Sequence, residues 1–373
     1  KTVKQLMGIS INHVINIDFG GFREAVNRIG CVFVDIDRRY FNDNSGGGEN
    51  YATIEVKQGY QKLCGQSALD YVRYRHEDND LVRAARQQEF LRQAKQQVGL
   101  RAVFEDRKQL LRIFGAYTQS DISQQDVPEI LGLLKLVYEA SKQPITEVRF
   151  PGTDCAEGTC IEISREDLQK TVDEFIDVRD AAEEPDPDLD AGDELDPDID
   201  AGGELDQPQA ERAPERIASA RRLAPGLIDA RKESGDHVRA LGRQPGAVDL
   251  PVYFPGARLG RGGYTASSPR SYEIADSDEE SHSSYRIALS AGYNGEYYGV
   301  QGTTWKAPPI LDSPTDERRI GDRTFKRYFD GTQIRLIALQ TPQAVYWVSN
   351  TLSRKLTNAQ MTGIAESLQT ADG

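Results

Sequence analysis

The 373-residue sequence predicts an α/β fold over its first half, then an acidic linker, then a smaller α+β domain with an antiparallel sheet. Three observations carry this. The chain opens strand, helix, strand; one segment is almost purely acidic; and the last third alternates apolar and polar residues between tyrosines and glycines. A strand–helix–strand series in so short a span marks an α/β unit, whereas alternating runs with Gly turns mark antiparallel strands.

In order, "KTVKQLMG" reads as a helix end, and "INHVINIDF" as a buried strand with Asp18 at its C-terminal end. "GGFREAVNRIG" is a helix with Phe22, Ala25, Val26 and Ile29 on one face and Gly30 at its stop. "CVFVDIDRRYF" is a strand, "NDNSGGGEN" a loop, "YATIEVKQGYQKL" a strand and turn, and "CGQSALDYVRYR" a helix. A helix from Leu81 to about Gln97 follows, with Asp78, Asn79 or Asp80 each able to cap it. Helices over 104–117 and 125–142, strands around Val148 and Ile161, and a helix capped by Ser164 complete a unit spanning residues 1–180.

From Glu183 to Asp206 there are twelve acidic residues and no Lys or Arg, including a ten-residue repeat, "DLDAGDELDP" then "DIDAGGELDQ". The Gly and Glu offsets of a calcium loop are missing, so the segment reads as a self-repelling, disordered linker over residues 181–244, its last part rich in Arg and Ala. Without these twelve charges the formal net charge of −14 falls to −2, so basic clusters elsewhere are free to act as anion sites. The remaining residues, 245–373, form the α+β domain, with "AVYWVSNTL" as last strand and a closing helix capped by Thr357 or Asn358.

No run of eighteen apolar residues and no secretion leader is visible, and the opening reads as a chain that begins inside a domain. Four cysteines, Cys31, Cys64, Cys155 and Cys160, are compatible with two disulfides in an oxidising compartment or with four reduced thiols. Cys155 and Cys160 flank a short Gly-containing loop between alternating segments, which favours a bridge there. The histidines, His13, His76, His237 and His282, are scattered, and no nucleophile elbow or zinc-ligand spacing occurs.

The segment with most chemistry is "YVRYRHEDNDLVRAARQQ". On a helical wheel Arg83, Arg86 and Gln87 share a face near the start of the Leu81 helix, while Arg73 and Arg75 arrive at alternate positions, where an extended chain points both the same way. Guanidinium forks around a helix N-terminus suit two linked phosphates. The competing reading is a solvated face whose arginines pair with Glu77, Asp78, Asp80 and Glu89. No wider basic stripe or aromatic platform extends from it, so nucleic acid is not expected.

"INHVINIDFGGFREAVNRIG", "YQKLCGQSALDYVRYRH" and "DLVRAARQQEFLRQ" resemble the second half of a LytR-CpsA-Psr domain, firmly over residues 1–100 and more loosely over 100–180. The resemblance implies a three-layer α/β/α domain lacking its N-terminal part. It also implies a phosphotransferase that moves a glycopolymer from a polyprenyl pyrophosphate carrier onto peptidoglycan, extracytoplasmic and anchored in the membrane by a helix upstream of this chain. By resemblance Arg73 and Arg75 are the catalytic pair contacting the pyrophosphate, with Arg83 and Gln87 completing a binding pocket that the wheel extends to Arg86. Mg²⁺ is implied, with ligands upstream and none in this chain. Asp18 and Phe19 match a structural D-F pair. Cys31 stands where the family usually has a second Gly and Cys64 where it has a polar residue, so the two are expected to bridge each other. The alternative is a non-catalytic module that binds anionic wall polymer or polyprenyl pyrophosphate.

Overall fold

A computed structural model describes residues 2–45, 51–75, 78–98, 107–122, 152–154, 161–176, 223–239, 248–293 and 295–370, with a few isolated positions besides. The expected helix over 125–142, His76, Glu77, Cys155, Cys160 and the acidic repeat lie outside them.

The first part mixes helices with short antiparallel ladders. Helix α1 (Thr2–Met7) precedes β1 (Ile15–Ile17), α2 (Phe19–Arg28), β2 (Val32–Ile36), β3 (Tyr40–Asn42), β4 (Ile54–Val56), β5 (Gly59–Leu63), α3 (Gly65–Arg73) and α4 (Asp80–Gln97). Next come α5 (Arg107–Tyr117), β6 (Thr118–Ser120), β7 (Thr153–Asp154), β8 (Ile161–Glu162) and α6 (Arg165–Ile176). The pairs are β1·β6, β2·β5, β3·β4 and β7·β8, all antiparallel. Capping explains the helix starts: Asn79 Oδ1 accepts from Val82 N at 2.9 Å and Ser164 Oγ from Asp167 N at 3.0 Å.

One expectation changes here. β1 was expected to be buried, but it has three residues, all exposed, because β6 is its one ladder neighbour among the described residues. Asp18 directly follows that strand, as expected, and its structural role is to cap α2, accepting from Gly21 N at 2.8 Å.

β2 explains how the rest is assembled. Its side chains alternate between two covers, as a strand's must. Val32, Val34 and Ile36 pack into a core with Val26, Leu63, Ala68, Tyr71, Val72 and Phe90. Phe33 points the other way, into a core shared with Tyr60, Ile274, Trp305, Tyr328, Leu336 and Trp347. The last six of these come from β5 and from the second part of the chain, so the two parts are joined through a common apolar layer.

That second part contains β9 (Leu227–Asp229), α7 (Arg231–Val238), β10 (Phe254–Pro255), β11 (Ala257–Leu259), β12 (Gly263–Tyr264), β13 (Arg270–Ala275), β14 (Ser281–Ser290) and β15 (Tyr297–Thr303). It continues with β16 (Asp316–Ile320), β17 (Arg323–Asp330), β18 (Gln333–Gln340), β19 (Val345–Ser349), α8 (Asn358–Glu366) and β20 (Leu368–Gln369). Its antiparallel sheet runs β12-β14-β15-β19-β18-β17-β16, with β13 also on β14. The α+β reading holds, and Thr357 is the cap of α8, accepting from Gln360 N at 3.2 Å. The boundary at residue 244 moves: β9 pairs with β11, and Leu227, Val238 and Leu241 enter this domain's core, so residues from Leu223 on belong to it.

A disulfide joins Cys31 to Cys64 across a sequence separation of 33. It ties the exit of α2 to the start of α3. Cys31 has φ +68, following Gly30 at φ +90, a left-handed conformation that Gly adopts without strain and Cys does not. The cysteine is kept there at a local cost that the cross-link offsets. Loop closure over this span stabilises by about 3–4 kcal/mol. The double variant Cys31→Ser/Cys64→Ser is expected to lose roughly that much in urea unfolding, and Cys31→Gly/Cys64→Ser about 1 kcal/mol less, since Gly relieves the left-handed strain.

Candidate functional site

The arginine segment separates into two groups that spacing alone does not distinguish. The Asp78 side chain is fully buried, and its carboxylate is shared by Arg38 and Arg86, whose side chains are 5% and 0% exposed. Arg86 also donates to the carbonyls of Tyr71 at 3.2 Å and Tyr74 at 2.7 Å. Both guanidinium groups stack on Tyr40, at 4.6 and 4.5 Å from the ring centroid, and Tyr297 of the second part lies 5.0 Å from Arg38. Arg86 was expected among the pyrophosphate-binding residues. Its geometry corrects that: the group is turned inward onto Asp78 and these two carbonyls, away from solvent, and it ties the end of α3 to α4.

Arg75 and Arg83 are the other group. Arg75 Nε lies 3.0 Å and Arg83 Nη2 3.4 Å from the same oxygen of Asp80, which is 45% exposed. The two guanidinium groups therefore meet at the N-terminus of α4, with side-chain exposures of 59% and 31%. Gln87 reaches back from α4 and donates to Val72 O at 3.1 Å, next to Arg73. Arg73 ends α3; its guanidinium lies 4.0 Å from the Phe19 ring and 5.7 Å from the Tyr51 ring, while its carbonyl accepts from Tyr51 Oη at 2.5 Å. Thus the pairing of Arg75 and Arg83 with Asp80, the competing sequence reading, is present. It is an exposed pairing, worth about 0–1 kcal/mol, which a phosphate can exchange. The Asp78 pairing is not exchangeable in that way.

Sequence reasoning named Glu89 as a partner for nearby arginines but missed the residues of the second part that hold it from behind. Glu89, on the opposite side of α4, accepts from Arg354 Nη2 at 2.7 Å and Arg92 Nη1 at 3.0 Å, with Arg335 at 3.6 Å. Asp330 accepts from Arg92 at 2.9 Å and lies 3.5 Å from Arg354. Burial alone would raise the Glu89 carboxyl, but Arg354, Arg92 and Arg335 outweigh it and hold it well below its ordinary value. Asp35, on β2, is likewise paired with fully buried Arg286 at 3.1 Å and accepts from Trp347 Nε1 at 3.0 Å. Glu89 and Arg92 are three positions apart, but nothing local announces the pairs that cross to the second part, since Arg354 is 265 positions from Glu89 and Arg286 is 251 from Asp35.

For a metal ion, one group among the described residues has suitable donors: Asp276, Glu280 and His282, on the β13–β14 hairpin of the second part. Beside the arginines, Asp78 and Asp80 are both engaged by guanidinium groups, and Asp70 on α3 lies within reach of the charge of Arg73. No described helix is long and apolar enough to cross a membrane.

Residues 1–176 match the LytR_cpsA_psr family model. The polyisoprenyl-teichoic acid–peptidoglycan teichoic acid transferase TagT of Bacillus subtilis is 31% identical over 96 residues, covering 24% of this chain and 28% of that protein. Its namesake TagU of Oceanobacillus iheyensis is 25% identical over 154 residues, covering 41% and 44%. The crystal structure of B. subtilis TagV is similar at 21% identity, covering 47% of this chain and 68% of that one with a TM-score of 0.34. The chain thus spans less than half the length of these curated relatives.

Two predictions follow from the burial difference. Asp78→Ala leaves two buried guanidinium groups uncompensated and is expected to cost on the order of 3–5 kcal/mol in urea unfolding, against less than about 1 kcal/mol for Asp80→Ala. For Glu89 the folded-state value is depressed, so its contribution is complete above the ordinary value of 4.5 and is lost as pH falls below it. Stability of the native chain should therefore drop between about pH 5 and about pH 3, and the Glu89→Gln curve, lower at neutral pH, should be flatter across that range.

Proposed function

Since residues 1–176 belong to the LytR-CpsA-Psr family, we propose that the protein attaches a polyprenyl-pyrophosphate-linked glycopolymer to peptidoglycan, in line with the transferase names that TagT and TagU carry. The observation that supports this reading best is the meeting of Arg75 and Arg83 on the exposed carboxylate of Asp80. The donor's diphosphate replaces that carboxylate, with Arg73 and Gln87 completing the contact. A hydroxyl oxygen of the acceptor attacks the phosphorus that carries the glycopolymer; a new P–O bond forms and the P–O–P bridge breaks. Polyprenyl phosphate leaves, and the hydroxyl proton passes to a base. The guanidinium groups take up the charge that grows on the leaving phosphate, so their contribution is electrostatic and positional.

Mg²⁺, implied by the resemblance, would add charge neutralisation when bound; no step here is routed through it. The reading carries with it the three-layer α/β/α architecture and an extracytoplasmic, membrane-associated setting. The Cys31–Cys64 bridge is consistent with such an oxidising compartment.

The test is transfer of labelled glycopolymer to peptidoglycan by the whole protein. Arg75→Ala should lower kcat/KM by a factor corresponding to about 2–4 kcal/mol, with urea stability within about 1 kcal/mol of the native chain. Asp80→Asn should raise donor affinity a few-fold (~2–5-fold), because it removes the competing carboxylate. Unchanged turnover in Arg75→Ala would overturn the reading.

A further inference from the structure

An open cleft of about 530 Å³ lies between the two parts, lined by Arg39, Glu55, Lys57 and Gln58 from the β3–β4–β5 segment and by Ser267 and Arg270 from the second part. Its walls are fixed. Gln58, 1% exposed, donates through Nε2 to Ser267 O at 2.7 Å and accepts from Ser267 Oγ at 2.7 Å. Its size is in the range of ligand sites.

The charges inside do not balance. Arg39 is held by Glu55, with Nε to Oε1 at 2.9 Å, and its guanidinium lies on the Phe41 ring at 4.1 Å. Among the described residues Arg270 makes no ion pair, although the charge of Glu55 reaches it. Its Nη1 donates to the carbonyl of Gln58, and its guanidinium lies 4.3 Å from the Tyr272 ring. The Lys57 ammonium is exposed and makes no ion pair among the described residues. A half-buried guanidinium without a counter-charge is costly, and three cations against one carboxylate leave the cleft strongly positive in a chain of net charge −14.

We propose that this cleft binds a phosphate group between Arg270 and Lys57, free or carried on a polyanionic chain. The remaining donors of Arg270 form a fork suited to a tetrahedral oxyanion, Lys57 adds a mobile point charge, and the charge of Glu55 is already countered by Arg39. None of these residues belongs to the arginine set at α4, so the assignment holds whether or not the chain transfers phosphoryl groups.

The experiment is isothermal titration of the whole chain, at low salt, with inorganic orthophosphate, with an oligomer of glycerol phosphate and with polygalacturonate. Lys57→Gln, at an exposed position, and Arg270→Gln are each expected to weaken phosphate-class binding about tenfold. Their unfolding midpoints serve as the check on folding. Arg75→Gln should leave the cleft's contribution intact. Tighter binding of the oligomer assigns the site to chain-borne phosphate, and binding of orthophosphate alone assigns it to the free ion. The proposal is overturned if neither phosphate probe binds, if both cleft variants bind like the native chain, if only Arg75→Gln weakens binding, or if polygalacturonate binds as well as the phosphates.

Discussion

The buried carboxylate of Asp78 is the constraint on which the arginine site depends. It sits between two guanidinium groups that enter from different elements, Arg38 from the turn after β2 and Arg86 from α4. Desolvating three charges is expensive, and the attraction between them offsets that only with further contacts to the guanidinium groups. Those contacts are the carbonyls of Tyr71 and Tyr74 for Arg86, the rings of Tyr40 and Tyr74 beside both cations, and the Tyr297 ring beside Arg38, with Arg86 Nε left without a hydrogen-bond partner among the described residues. Packing is close enough that Gly295, at φ +73, faces the cluster; a Cβ there would lie 3.2 Å from Asp78 Oδ1. A glycine is needed on both counts. Asp78 is thereby anchored at the start of α4, beside the Asp80 carboxylate on which Arg75 and Arg83 meet.

The same reasoning applies to the junction between the two parts. A purely apolar layer would hold them with little preference for register. Here the layer of Phe33, Tyr60, Trp305 and Trp347 is bordered by Asp35 with Arg286, and by Glu89 and Asp330 with Arg92, Arg335 and Arg354. A shift of one residue would leave buried charges unpaired, which costs more than the apolar contacts gain. The second part is therefore part of the scaffold of α4, since Arg335 and Arg354 sit behind the helix whose front carries Arg83.

Much of this was legible in the sequence where the signal is local. Asn79, Ser164 and Thr357 were readable as caps because capping needs only a short polar side chain a few residues from the amide it accepts from. The Cys31–Cys64 bridge was suggested by two residues out of place in a familiar pattern. What failed depends on distant partners. Arg83 and Arg86 are three positions apart and were assigned one face, yet one is accessible and the other sealed, because the path of the preceding turn brings Asp78 under Arg86. β1 is as apolar as a buried strand but exposed, since apolar character states a preference and the cover has to come from elsewhere. The strand Leu227–Asp229 was lost in the linker because three residues carry no periodicity; its identity comes from pairing with β11.

The counter-ions also rank the cations by what an incoming anion must displace. Arg38 and Arg86 hold a buried carboxylate whose removal would expose the core to uncompensated charge, so no ligand competes for them. Arg75 and Arg83 share an exposed carboxylate that forms a weak pair in water, so a diphosphate with more charge and more acceptor oxygens displaces it at small cost. Arg270 has only a carbonyl and a ring, so nothing charged need leave before an anion arrives. Accessible positive charge in an acidic protein is thus set by which carboxylates are buried with their arginines, and net charge is a poor guide to it.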